Sequence, residues 1–118
     1  MAAKDDLGRR GEDEAAAFLA RLGWRILARN WRCPGGELDI VAVDGGDLVV
    51  VEVKTRTSEL FGHPFEAVDA RKRARLWRLA QAWCAAHPEQ ARGRRLRVDA
   101  LSLIGAGPFA LEHLRDLR

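Results

Sequence analysis

Residues 37–54 read ELDIVAVDGGDLVVVEVK. At the middle, Asp44-Gly45-Gly46-Asp47 is a hairpin signal, because Asp-Gly and Gly-Gly tolerate the positive φ that tight turns require. The flanks, 37–43 and 48–54, are rich in Val and read as two antiparallel strands. The apolar run 48–51 marks the second as a central strand covered on both faces. Side chains alternate across a strand, so Glu37, Asp39, Val41 and Val43 share one face, and Val50, Glu52 and Lys54 share one on the neighbour. With Asp44 opposite Asp47, Val43 faces Leu48 and Asp39 faces Glu52. Like charges in direct opposition destabilise a sheet, and a bound divalent cation would remove that penalty.

Working outward, residues 24–32 read as a further strand, joined to the hairpin through the turn cluster Cys33-Pro34-Gly35-Gly36. Before it, residues 6–22 read as a helix capped by Asp5 or Asp6 and stopped by Gly23. Ala15, Ala16, Leu19 and Leu22 form its core face. Glu12 falls on that same face, where a charge needs a partner or a metal. After the hairpin, residues 55–63 form a polar loop, with Gly62 and Pro64 near its end. A second helix then runs from Asp69, its N-cap, to about His87, where Pro88 stops it. Leu76, Leu79, Ala80 and Trp83 are its apolar stripe, with Lys72 at the head. Arg71, Arg75 and Arg78 form a basic stripe beside it. Residues 95–103 are a fourth strand, 105–108 a turn and 109–114 a short edge strand. The expectation is an α/β fold: a mixed central sheet flanked by helices, with a right-handed crossover from the third strand to the fourth.

The chain has 118 residues, 47% hydrophobic and 31% charged, which predicts one globular domain over 1–118 with its core at about 7–114. No apolar run approaches the roughly 20 residues of a bilayer-spanning helix, and the N-terminus has no apolar signal core. A cytoplasmic protein with no membrane partner is expected. Seventeen Arg and three Lys stand against 17 acids, for a net charge of +3. The arginine fork matches phosphate geometry, although an Arg- and Ala-rich proteome would give the same bias. Two cysteines, Cys33 and Cys84, make neither a disulfide framework nor a complete metal site, and read as packing residues. His63, His87 and His113 are isolated, which argues against zinc. No Gly-rich phosphate loop and no nucleophile elbow occur.

The chemistry that fits Asp39 and Glu52 is metal-dependent phosphodiester hydrolysis. Both supply the hard oxygens suited to Mg²⁺ or Mn²⁺, and a carbonyl such as that of Val53 could add a third. Lys54, on the face of Glu52, can orient the attacking water and offset transition-state charge. Glu12 could complete the shell directly or through water. A Glu-x-Lys pair alone is more often a plain salt bridge across a strand face. Asp99 reads as the partner of an Arg in the fourth strand.

Three motifs in order, Gly8-x-x-Gly11-Glu12, Gly36-Glu37-x-Asp39 and Val51-Glu52-Val53-Lys54-Thr55-Arg56, resemble the YraN-like family of small bacterial proteins over residues 7–114. That family looks like a branch of the PD-(D/E)xK nuclease superfamily, similar to archaeal Holliday junction resolvases. The resemblance implies a restriction-endonuclease-like αβββαβ core, here with a short extra C-terminal strand. Carried over by position, Asp39 and Glu52 are the metal-binding acids and Lys54 is the motif lysine. Glu12 resembles the helix-borne acid of the resolvases, and Lys72 matches a basic position on the following helix. Leu38 stands where the superfamily often carries proline. The expected function is a Mg²⁺- or Mn²⁺-dependent endonuclease with catalytic residues Glu12, Asp39, Glu52 and Lys54. Its expected substrate is nucleic acid, DNA first, with branched DNA as one option if the resolvases are the guide; for that option a C2 homodimer is natural. Arg56, Arg71, Lys72 and Arg75 are expected to contact phosphates, whereas Arg78, farther along the helix, reads as a solvated face. The competing readings are a non-catalytic nucleic-acid-binding or assembly protein that keeps the fold, and an RNA-processing factor.

Overall fold

The hairpin is where its sequence puts it. In the computed structural model, which describes residues 2–57 and 69–117, β2 (Gly36–Asp44) pairs antiparallel with β3 (Asp47–Arg56), with Asp44 opposite Asp47 and Val43 opposite Leu48. Only Gly45 and Gly46 remain in the turn, and Gly45 takes the positive φ of 59° that the turn requires. β1 (Arg25–Cys33) pairs antiparallel with β2, with a register shift between Ile26 and Ala28. β4 (Arg95–Ile104) lies parallel to β3, and β5 (Ala110–Leu114) closes the far edge antiparallel to β4. The sheet is therefore mixed and five-stranded, in sequential order β1-β2-β3-β4-β5.

Each helix covers one face of this sheet. α1 (Ala2–Arg21) packs Ala15 and Leu19 onto Ile40, Ala42, Val49, Val51, Leu101 and Leu103. α2 (Ala70–Ala86) packs Leu76, Leu79, Ala80 and Trp83 onto the opposite face, against Leu38, Val41, Val43, Leu48, Val50 and Val98. Burial on both sides explains the continuous apolar run of β3. The α/β class, the αβββαβ order and the extra C-terminal strand agree with expectation.

Several boundaries differ. α1 begins at Ala2, so Asp5 and Asp6 lie within it and cannot be its cap. Leu22, expected on the core face, is 44% exposed, because the helix ends at Arg21 and the chain turns away. Trp24, read as strand, precedes β1 and is buried. Cys33 and Gly36 pair across the hairpin, which leaves only Pro34 and Gly35 in a turn expected to span four residues. Pro88 starts a short helix, α3 (Pro88–Ala91), that periodicity did not signal. Thr55 and Arg56, read as loop, continue β3. From residue 58 onward the expected loop, with Gly62, His63 and the following Pro64, lies outside the described residues. Among the described residues, no helix is long and apolar enough to cross a membrane.

Candidate active site

The β2–β3 ladder runs as far as Ile40 opposite Val51, and one step beyond it the strands part. At that step Glu52 turns toward α2, where it meets Lys72, and Asp39 stands beside it. The carboxylate of Asp39 takes the place of the next ladder bond: the Val53 N–H donates to its Oδ2 at 2.8 Å. The two carboxyls stand close enough to share a hydrogen bond, in which the protonated one donates. Burial and, after it, the charge of Glu52 push the Asp39 pKa up to about 7, against the lowering effect of the Val53 N–H. The side-by-side carboxylates expected from strand alternation are thus present, and the repulsion between them is substantial.

Lys54 follows Glu52 on the same face, beside Ser102 of β4 in the parallel register. Burial, then the nearby charges of Lys72 and Arg56, hold its pKa below the usual lysine value. The partner of Glu52 is Lys72 rather than Lys54. The Lys72 Nζ lies 3.1 Å from Glu52 Oε2, with both side chains mostly buried. Lys72 reaches the carboxylate because it heads the stripe that α2 lays on the sheet. Asp69 fixes that first turn by accepting from the Lys72 N–H at 2.9 Å.

Glu12 approaches from the other face, on α1. The helix comes in close because Gly11 has no side chain: a Cβ there would overlap the side chain of Thr55 on β3. Burial holds the Glu12 pKa above the usual value, opposed by Arg29 and by a hydrogen bond with Asn30. Its charge acts on Asp39. Among the described residues, however, no three His, Cys, Asp or Glu side chains converge into a cage for a metal ion. Glu12 therefore stands beside the pair as a neighbouring charge.

The expected phosphate contacts gather on one side of the pair. Arg71, Lys72 and Arg75 line a hollow of about 420 Å³ along α2, together with Asp69. Arg78 is exposed, as expected for a solvated position, but it lines the same hollow. Arg56 ends β3 two residues past Lys54, with its Nε buried and unpaired. Cys33 and Cys84 are free thiols packed against the α2-side core, in keeping with their reading as packing residues.

A profile of the uncharacterised protein family UPF0102 matches residues 11–103. The chain belongs to UPF0102, the YraN-like family. It is 59% identical to a UPF0102 protein of Paenarthrobacter aurescens, over 99% of this chain and 97% of that one. It is 57% identical to a UPF0102 protein of Arthrobacter sp. (strain FB24), over 99% of both chains. A UPF0102 protein of Frankia casuarinae is 51% identical over 98% of both. The part matched to UPF0102 opens on Gly11 and Glu12, holds Asp39, Glu52, Lys54 and Lys72, and stops at Leu103 in β4. It thus takes in the second half of α1 and all of α2 and leaves β5 outside.

Two features of this UPF0102 chain escaped sequence reasoning. The Lys72–Glu52 pair joins residues 20 positions apart, and its only sequence signal is the placement of a lysine on an otherwise apolar helix face. The other is a buried charge network away from the acidic pair. Arg97 meets Asp44 at 3.1 Å, Asp47 at 2.8 Å and Asp99 at 3.0 Å, and Asp99 in turn meets His113 Nε2 at 2.8 Å. The expected Arg partner of Asp99 is therefore Arg97, with a histidine besides.

Proposed function

We propose that this UPF0102 protein is a divalent-metal-dependent endonuclease that hydrolyses phosphodiester bonds in DNA, with branched DNA as one candidate substrate class. The observation that carries the reading is the pairing of Asp39 with Glu52 at the point where β2 and β3 part, with Lys54 on the same face. The donor set fits Mg²⁺ or Mn²⁺. Both groups are hard carboxylate oxygens, and their mutual repulsion, felt in the raised Asp39 pKa, is what a cation relieves. Asp39 and Glu52 would hold the metal, which when bound supplies Lewis-acid polarisation of the phosphate and a more acidic water.

The chain's own groups do the rest. Lys54, with its ammonium partly desolvated, donates to the attacking water or to a phosphate oxygen. Lys72 steadies the Glu52 carboxylate and adds positive charge at the entrance. Glu12 adds a third acid, from α1, within electrostatic reach of Asp39. Arg56, Arg71 and Arg75 take neighbouring phosphates, which positions any sequence equally. The expected setting is the cytoplasm, and a C2 homodimer accompanies a junction substrate, because its resolution needs two symmetric cuts.

One observation favours a second reading, a nucleic-acid-binding or assembly protein without turnover. Lys72 already pairs with Glu52, so the acidic pair has a counter-charge of its own. Metal-dependent cleavage assayed on duplex, single strand, flap, four-way junction and structured RNA separates the readings. Cleavage that needs Mg²⁺ or Mn²⁺ and is lost in Asp39→Ala and Glu52→Ala is expected. Binding without cleavage of any substrate would establish the second reading. Cleavage confined to structured RNA would make the protein an RNA-processing factor.

A further inference from the structure

The basic hollow along α2 opens onto a second one. Arg75 and Arg78 line both, and the second, of about 340 Å³, is otherwise walled by apolar groups. The β1–β2 turn supplies Cys33, Pro34 and Gly35, and α2 supplies Leu79 and Ala82. Among the described residues, no carboxylate lines it. Among the described residues the one acid lining the basic hollow is Asp69, whose carboxylate is engaged in capping α2.

The floor is built in advance. A Cβ on Gly35 would sit 3.4 Å from Leu79, and one on Gly36 would sit 3.3 Å from it, so the turn backbone rests directly on that leucine. Gly36 takes a φ of 143°, which favours glycine, and Pro34 removes a backbone donor from the rim. Leu79 is itself only 3% exposed and is held by the core. The result is an apolar recess with two guanidinium groups at the edge it shares with the basic groove.

That combination suits a flat ring carrying anionic groups on its flanks. Bases stack on guanidinium planes and on apolar walls, while arginine forks take phosphate. A base inside an intact duplex is stacked on both sides and cannot enter a recess. Lys72 and Leu79 are separated by roughly 10 Å along the helix axis, so the recess lies close to the acidic pair.

We propose that this recess takes one unstacked nucleobase, with Arg75 and Arg78 on the adjoining phosphates. The nucleic acid that this site prefers accordingly carries a single-stranded segment beside the cleaved strand. The inference rests on the nuclease reading of Asp39 and Glu52 and names the substrate class for it. A flap, an overhang or an opened branch meets the requirement, and a blunt duplex does not.

The test is binding in EDTA, with no cleavage, of a labelled single strand, a blunt duplex and a duplex with an overhang, at one salt concentration. Wild type is expected to bind the single strand and the overhang about tenfold more tightly than the blunt duplex, which is the scale of one stacked base. Ala82→Leu fills the recess from an exposed helix position and should abolish that preference while leaving duplex binding in place. Arg78→Ala, also at an exposed position, should weaken the preference. Alkylation of Cys33, followed by mass spectrometry with Cys84 as internal reference, should slow in the presence of the single strand and not of the blunt duplex.

Equal affinity for all three nucleic acids, a preference that survives Ala82→Leu, or Cys33 alkylation unchanged by the single strand would each overturn the inference. Metal-dependent cutting of blunt duplex without such a preference overturns it and leaves the nuclease reading standing. The preference without metal-dependent cutting of any substrate upholds the recess and overturns the nuclease reading. Failure to bind any nucleic acid overturns both.

Discussion

Asp39 does two things at once: it takes the Val53 N–H where the ladder ends, and it carries a carboxyl that burial and Glu52 make reluctant to ionise. Asparagine keeps an acceptor for that N–H and removes the charge. In metal-free buffer near pH 8, Asp39→Asn is therefore expected to melt higher than wild type. Mg²⁺ or Mn²⁺ should raise the melting temperature of wild type and leave that of the variant unmoved, since ligands of the folded state stabilise by mass action. Equal metal shifts in both proteins would sink the cation site. For Lys54 the ion-pair geometry sharpens the alternatives. Because Lys72 holds Glu52, Lys54→Ala should abolish cleavage with melting temperature and DNA affinity nearly unchanged; a large drop in melting temperature with normal activity per folded molecule would make Lys54 structural. At Gly11 the constraint is steric. Gly11→Ala forces a methyl against the branched side chain of Thr55 and should cost about 1–3 kcal/mol in urea unfolding. Thr55→Ala in the same chain should recover part of that loss.

At the scale of the element, α2 has two working faces. One buries Leu76, Leu79, Ala80 and Trp83, and the other turns Arg71, Arg75 and Arg78 outward along the basic hollow. Phosphate contacts made by such a row release counterions, so affinity falls with salt. Arg71→Ala with Arg75→Ala should lower duplex affinity for every sequence and reduce the log–log salt slope by about 0.9 for each lost contact. A slope identical to wild type would remove this face of α2 from the binding surface.

Over the whole molecule, the Arg97–Asp99–His113 network fastens parts of the sheet distant in sequence. It joins the β2–β3 turn through Asp44 and Asp47, β4 through Asp99, the edge strand through His113, and the C-terminal tail through the Asp116 N–H, which donates to Asp99 at 2.9 Å. Burial alone would raise the Asp99 pKa, but the hydrogen bonds from His113, Arg97 and Asp116 outweigh it and hold the value below the usual one. With a depressed folded pKa, the stabilisation is full above the ordinary carboxylate range, near 4, and is lost as pH falls through the folded value. Asp99→Ala should thus cost about 3 kcal/mol near pH 7, at the low end for a broken buried pair because Arg97 keeps Asp44 and Asp47. The gap to wild type should narrow toward pH 3 in urea unfolding. A gap that is constant with pH would show that the carboxylate charge is not what matters.

Periodicity and turn chemistry sufficed for the strands of the hairpin, for α2 between Asp69 and Pro88, and for the nearness of Asp39 to Glu52. Each of these is a local property: alternation, a cap and a two-glycine turn act over a few residues. Even the position of Lys72 was legible, as a lysine heading an apolar stripe. Its engagement with Glu52 was not, because the distance between an ammonium on α2 and a carboxylate on β3 depends on how the helix docks. The same holds for Glu12, whose approach depends on the contact of Gly11 with Thr55. Which residues can bear charge in this chain follows from its sequence. Which of those charges meet is decided by the packing of two helices on opposite faces of one sheet, since burial and separation, the quantities that set an ionic interaction, exist only in the folded chain.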